Sequence, residues 1–232
     1  MTERRFQERL TGWFAPDVYR FGVPLFLASG LLFGLDLVIA GGLVAGLGVF
    51  VAAFFRNPER ELPAGEGLVL SPADGRVIEV GEIETPSGDK ALRIGIFLSV
   101  FNVHVNRAPV AGRVMAIERS GDAYLAAFNR DAETRNVQTR MHLEMADGCP
   151  VEVVQITGLI ARRILTHPEI GEWLERGVRY GLIRFGSRTD VVLPLGSRAL
   201  VEKGDRVRGG SSAIAELAPE GAEAAAAGGS RG

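Results

Sequence analysis

The residues able to do chemistry in this 232-residue chain are few. There are three histidines, one cysteine and two lysines, Lys90 and Lys203. His104 lies in FLSVFNVHVNRAP, between an apolar run and a Pro-marked turn. His142 lies in the alternating stretch RMHLEM, and His167 in the loop-like THPEIGEW. No H-x-x-x-H pair and no second cysteine accompany them, so no metal is expected. Ser187 follows Gly186 directly in RFGSRTD, and Asp74 sits in SPADGRV. A serine hydroxyl is a weak nucleophile at neutral pH and needs a base within hydrogen-bond reach. Histidine is the side chain best poised for that task. A carboxylate on its other ring nitrogen fixes the tautomer and stabilises the imidazolium. Glycine before the serine removes a Cβ, which opens the preceding carbonyl to attack and permits strained backbone angles. Backbone N–H groups would also have to form an oxyanion hole.

Taken singly, each of these residues has a plainer structural reading. The histidines fit core or loop positions, Asp74 an ordinary Asp-Gly turn, and Ser187 a Gly-Ser hairpin turn. No G-x-S-x-G elbow surrounds Ser187, and there is no P-loop or dinucleotide-binding glycine fingerprint. A single cysteine, Cys149, excludes an internal disulfide framework. The formal charge of −2 argues against a nucleic-acid partner. With two lysines, 24 of the 26 basic residues are arginine, so a lysine Schiff-base enzyme would have only two candidates.

The elements that must position these residues read as a mainly β (α+β) body. Short β-like runs bounded by Gly, Pro and Asp are expected at 67–70, 75–80, 91–97, 112–118, 135–144, 151–156, 180–185, 190–193 and 198–201. Without regular β–α alternation they predict an antiparallel domain. Short helices or loops are expected at 121–130 and 159–164. ADGRVIEVGE at 73–82 and VEKGDRVRGGSSAI at 201–214 share a Gly–Asp turn rhythm. That rhythm is similar to the biotinyl/lipoyl type of half-sandwich module.

Ahead of this body, residues 22–55 carry one charge, Asp36. As one helix they would be about 51 Å long, against a hydrocarbon core of ~30 Å. A membrane-embedded helical hairpin turning near Gly34 and Asp36 is therefore expected, with a single tilted span as the alternative; a buried core helix pair is the plainer reading, which the length and near-absence of charge disfavour. Arginines flank both ends, as the positive-inside tendency asks if both ends are cytoplasmic. The domain plan is an interfacial amphipathic segment at 1–21, the membrane hairpin at 22–55, a catalytic domain at 56–216 and a disordered tail at 217–232.

In that order, behind an apolar anchor, SPADGRV, FLSVFNVHVNRAP, GLIARRI and YGLIRFGSRTDVVLP closely resemble the phosphatidylserine decarboxylase proenzymes of short bacterial and archaeal-like form. The resemblance runs from about Arg56 to Gly210. It implies a pyruvoyl-dependent enzyme that makes its own cofactor. The Ser187 hydroxyl attacks the Gly186 carbonyl, the amide becomes an ester, and β-elimination splits the chain. A β chain, 1–186, and an α chain, 187–232, then remain associated, and Ser187 becomes the pyruvoyl group. That group forms a Schiff base with the amine of phosphatidylserine and, after loss of carbon dioxide, phosphatidylethanolamine is released. Asp74 and His104 match the family's serine-activating Asp and His, and His104 is the expected proton donor.

Two positions depart from the pattern. Some longer relatives carry a second histidine where this chain has Arg107, and many have Thr where it has Arg188. Arg107, Arg162 and Arg163 are expected headgroup contacts, since arginine suits bidentate phosphate binding. The substrate places the protein at the cell membrane, on the cytoplasmic face, and the sequence leaves a homo-oligomer open. Two other readings compete. One is a membrane-anchored biotinyl/lipoyl-like carrier or adaptor using Lys203, although no apolar residues flank that lysine as a carrier tip requires. The other is a pyruvoyl decarboxylase for a soluble amino acid, which the 22–55 segment disfavours.

Overall fold

A computed structural model describes residues 12–85, 88–125, 135–159, 163–183 and 187–217. Two helices, α1 (Asp17–Gly34) and α2 (Val38–Phe54), come first. The strands that follow begin with β1 (Leu68–Leu70), β2 (Gly75–Glu84), β3 (Lys90–Leu98), β4 (Val105–Arg107) and β5 (Gly112–Ser120). Next come β6 (Gln138–Glu144), β7 (Pro150–Ile156), β8 (Ile164–Thr166), β9 (Trp173–Leu174) and β10 (Arg179–Ile183). The last four are β11 (Ser187–Pro194), β12 (Arg198–Ala199), β13 (Arg206–Val207) and β14 (Ala213–Glu216).

The β-rich expectation agrees with this architecture. Eight strands form one sheet in the order β13-β2-β3-β11-β7-β6-β5-β9, and two three-stranded sheets, β1-β14-β12 and β4-β10-β8, complete the body. Neighbouring strands run antiparallel. Alternation explains most of the large sheet. In β6, Thr139, Met141 and Leu143 are buried while their neighbours reach solvent in part. The main core lies on that face and includes Ile94, Ile96, Val153, Val191 and Tyr180. The central strands β3, β11 and β7 depart from alternation, β11 most of all, being buried at seven of its eight positions. It lies between β3 and β7, with Ser187 opposite Leu98 and Arg188 opposite both Phe97 and Ile156.

The N-terminal membrane hairpin is not supported, and neither is a single tilted span. The 34-residue apolar run is broken at Leu35–Leu37, where Asp36 adopts φ +59°. The resulting helices have 18 and 17 residues, about 27 and 26 Å at ~1.5 Å per residue. The first begins with Asp17, Tyr19 and Arg20 and contains Pro24. Among the described residues no helix is long and apolar enough to cross a membrane. The two helices pack on each other: the Ser29 hydroxyl donates to the Gly41 carbonyl at 2.9 Å, and a Cβ at Gly48 would press on the Phe26 ring at 3.1 Å. Their base, with Val51, Phe54 and Phe55, joins Val103, Val105 and Leu182 in a second core.

Other expectations shift locally. Ile164 opens a strand rather than closing a helix, because it pairs with Ile183. Residues 126–130 of the segment expected as helix or loop, and most of the expected tail, lie outside the described residues.

Close strand approach sets a testable constraint. A Cβ at Gly75 would fall on the Phe97 carbonyl oxygen and 2.8 Å from Ile96 Cγ2, whereas one at Gly81, on the same strand, would meet nothing within 4 Å. Gly75→Ala is expected to destabilise by about 1–3 kcal/mol through overpacking. Gly81→Ala should stay within about 0.5 kcal/mol of the parent. Thermal denaturation of the two variants checks the difference.

Candidate functional site

Three segments that are distant in sequence meet around residues 104–107. The Arg107 N–H donates to the Pro72 carbonyl at 2.9 Å, which docks the SPAD loop (71–74) beside β4. β4 pairs with β10, and the Ile183 N–H donates to the His104 carbonyl at 3.3 Å. The chain leaving Ile183 reappears at Ser187, the first residue of β11. His104 therefore packs against the strand that leads into the Gly186–Ser187 link. Gly186 itself, like Arg162, lies outside the described residues.

His104 is fully buried. Its ring lies 4.3 Å from the Phe54 ring, centroid to centroid, at 32°. Nδ1 is 3.0 Å from the Asn102 carbonyl oxygen. A carbonyl can only accept, so Nδ1 carries the proton and Nε2 keeps its lone pair. Burial pushes the imidazole pKa from 6.5 down to about 4; the Asn102 hydrogen bond opposes this and the nearby Arg56 charge adds to it. The Arg56 guanidinium is fixed there by the Ala53 and Phe101 carbonyls, both at 2.7 Å. His104 is thus a neutral imidazole at physiological pH, which is the base form.

Ser187 is also fully buried, and its hydroxyl has no hydrogen-bond partner among the described residues. A buried unmade hydrogen bond costs about 1–3 kcal/mol, so a hydroxyl left in that state needs a reason. Immediately beyond it, the Arg188 guanidinium grips Asp190 through two bonds, at 2.5 and 2.8 Å, and reaches Glu79 at 2.7 Å. Glu79 also binds Arg93. Burial works against the Arg188 charge, but Asp190 and Glu79 more than offset it and raise its pKa.

Asp74 lies in the neighbouring loop, but its carboxylate is engaged elsewhere. Arg60 binds Oδ2 at 2.8 Å, and the Gly209 N–H donates to Oδ1 at 2.8 Å. The structure thus brings the His104 and Ser187 segments and the Asp74 loop into one neighbourhood, while the ring nitrogen expected to meet a carboxylate meets the Asn102 carbonyl. Arg107 is mostly buried, and its guanidinium donates to the Gly177 and Pro58 carbonyls at 3.0 and 2.9 Å. Burial, with Arg179 and Arg60 nearby, lowers its pKa to about 10. Arg163 is exposed. Among the described residues no group of His, Cys, Asp and Glu is placed to hold a metal.

Sequence reasoning missed Asn102, Phe54, Arg56 and Arg60. Only Asn102 had a local signal, two residues before His104. The others come from the helix base and the linker after it, and reach the site through tertiary packing alone.

The named strands of the body pair antiparallel, Ser187 opens a buried strand, and the buried, neutral His104 is tied through its backbone carbonyl to the strand that comes before it. The chain matches the phosphatidylserine decarboxylase family over residues 47–215. It is 49% identical over 170 residues to the phosphatidylserine decarboxylase proenzyme of Burkholderia ambifaria (strain MC40-6), covering 73% of this chain and 79% of the relative. The proenzyme of Aromatoleum aromaticum is 48% identical over the same length and coverage. The chain belongs to the phosphatidylserine decarboxylase family. The carrier reading is not favoured by these matches.

The His104 environment predicts an acid-side loss of stability. Above pH 6.5 the imidazole is neutral whether the chain is folded or unfolded, and contributes no pH dependence. Between pH 6.5 and about 4 the unfolded state binds the proton and the folded state does not, so stability falls as pH falls. At about 1.36 kcal/mol per pH unit the loss approaches ~3 kcal/mol. Urea unfolding of the uncut Ser187→Ala chain at pH 7 and pH 4.5 should show it, and adding His104→Gln should remove that part of the slope.

Proposed function

We propose that this chain is a self-processing decarboxylase that converts phosphatidylserine to phosphatidylethanolamine and carbon dioxide. The observation that carries the reading is the buried Ser187 hydroxyl at the start of β11, without a hydrogen-bond partner among the described residues, together with the buried neutral His104, whose backbone carbonyl accepts from Ile183 at the end of β10. Family membership supplies the reaction class.

In self-cleavage, His104 Nε2 takes the Ser187 hydroxyl proton as the oxygen attacks the Gly186 carbonyl carbon. The C–N bond of the link opens, the amine takes a proton, and an ester replaces the amide. Loss of the Ser187 Cα proton then expels Gly186 as a carboxylate, leaving the chains 1–186 and 187–232 with a dehydroalanine at position 187. Its imine tautomer would take up water and release ammonia, which leaves a pyruvoyl group. A buried serine with no competing hydrogen bond among the described residues fits that fate, because no partner there has to be given up.

Ser187's own backbone atoms would hold the group, anchored by the pairing of β11 with β3 and by the Arg188–Asp190 grip next to it. When formed, the group supplies a ketone that condenses with the substrate amine and accepts the electron pair released with carbon dioxide. The chain's own residues do the rest. Burial around His104 and Ser187 excludes water, and His104, held by Asn102, returns a proton to the substrate carbon. We assign Asp74 to the self-cleavage step through the loop it holds with Arg60 and Gly209. Phosphatidylserine resides in the bilayer, so the enzyme works at the membrane surface, on the cytoplasmic face.

The parent chain, 24.9 kDa over 232 residues, is expected to give fragments of about 20 and 5 kDa on a denaturing gel. Ser187→Ala should remain one chain and release no carbon dioxide. His104→Ala should slow the cut by roughly 10²–10⁴-fold, the usual contribution of a positioned base. An intact mass showing an uncut, active parent chain would overturn the assignment.

A further inference from the structure

Among the described residues, six arginines of the body carry a carboxylate partner: Arg60, Arg93, Arg140, Arg179, Arg188 and Arg198. Arg76, Arg206 and Arg208 have none among the described residues, and all three line one cavity of about 820 Å³. Two of them stand directly opposite each other, Arg206 on β13 against Arg76 on β2. Like charges at that position, with Cβ atoms about 4.5–5.5 Å apart, destabilise a strand pair. All three side chains are exposed and no carboxylate pairs with them among the described residues, so the cluster is open to an anion from outside.

The rest of the wall suits the same ligand. Ser212 Oγ accepts from the Arg208 N–H at 2.9 Å, so its own hydrogen is free to donate. The Ser211 hydroxyl makes no hydrogen bond among the described residues. One carboxylate is present, Asp74, and its oxygens are already bound by Arg60 and the Gly209 N–H. A wall of guanidinium groups and hydroxyl donors is a phosphate site by chemistry. The cavity is larger than a bare ion needs and falls within the range of sites that hold small organic ligands.

Its position ties it to the reaction. Phe97 and Ser99 line it on either side of Leu98, so it lies at the end of β3 where that strand pairs with Ser187, on the sheet face opposite the Ser187 side chain. Asn102 lines it too, and the Asn102 carbonyl holds His104 Nδ1. The cavity is also built from both sides of the 186–187 link. Arg76, Ser99 and Asn102 come before it, while Arg206, Arg208, Ser211 and Ser212 come after. Arg107, by contrast, has its guanidinium on two backbone carbonyls.

We propose that Arg76, Arg206 and Arg208, with the hydroxyls of Ser211 and Ser212, form the subsite that binds the phosphodiester of the substrate headgroup. The proposal rests on the decarboxylase reading above and adds to it where the phosphate sits.

The test uses the cut, two-chain enzyme with phosphatidylserine dispersed in a neutral detergent. The double variant Arg206→Gln/Arg208→Gln is expected to raise KM at least tenfold while kcat falls less than threefold. Arg206→Lys/Arg208→Lys should recover most of the loss. Water-soluble glycerophosphoserine and inorganic phosphate should both inhibit the parent competitively, and both should weaken at least tenfold against the Gln variant. An unchanged KM in a fully cut Gln variant would overturn the subsite. So would equal falls in kcat and kcat/KM without rescue by Lys. If inorganic phosphate inhibition weakens while glycerophosphoserine inhibition does not, the cavity takes a free anion and the substrate assignment fails. A parent chain that is never cut, or that releases no carbon dioxide, would instead sink the decarboxylase reading itself.

Discussion

The Arg188–Asp190 ion pair is the interaction on which the centre of the molecule depends. Charged groups are costly inside a sheet unless they are paired with good geometry. Here residues two apart on β11 project to the same face, so the guanidinium meets its carboxylate within one strand. Glu79 closes the remaining side and is itself balanced by Arg93. Burial pushes the Asp190 carboxyl upward, and Arg188 opposes it. Gly95 makes room for the arrangement, since a Cβ there would sit 2.9 Å from Arg188 Nη2 and 3.1 Å from Asp190 Oδ1. Breaking such a buried pair from one side typically costs 3–5 kcal/mol. The strand that begins with Ser187 is thereby fixed from its second residue on.

The same pair explains what the sequence hid. SRTD is polar and follows a glycine, so by period and composition it reads as a turn, and the expected strand began only at Asp190. The strand begins at Ser187 because its two charged side chains, Arg188 and Asp190, are satisfied by each other and by Glu79 of β2 rather than by water, while the buried hydroxyls of Ser187 and Thr189 have no partner among the described residues. Strands with clear alternation, such as β6 and β7, were legible to within a few residues. Two- and three-residue strands such as β4, β9 and β13 were not, because their identity comes from the partner they meet. The apolar run at 22–55 was legible as helical material turning near Asp36 but misleading as a membrane element, because the two helices, of 18 and 17 residues, pack on each other and on the β body and neither is long and apolar enough to cross a membrane. At the site, the residue types Ser187, His104 and Asp74 could be named from motifs. Their partners could not, because Phe54 and Arg60 reach the site from segments with no motif of their own.

The topology also bears on what a cut between residues 186 and 187 would do to the fold. β10, just before the link, is held on both sides by β4 and β8, all from the N-terminal part. β11, just after it, is held on both sides by β3 and β7. Neither end relies on the link itself for its position. The C-terminal part is also woven through the rest: β11 fills the middle of the large sheet, β13 forms its edge beside β2, and β14 pairs with β1. Separating the two parts would expose the core on both faces of β11, including Ile94, Ile96 and Val153. A 46-residue piece held that way stays in place without a covalent tie, so the backbone at position 187 can be spent on chemistry while the sheet around it keeps its geometry.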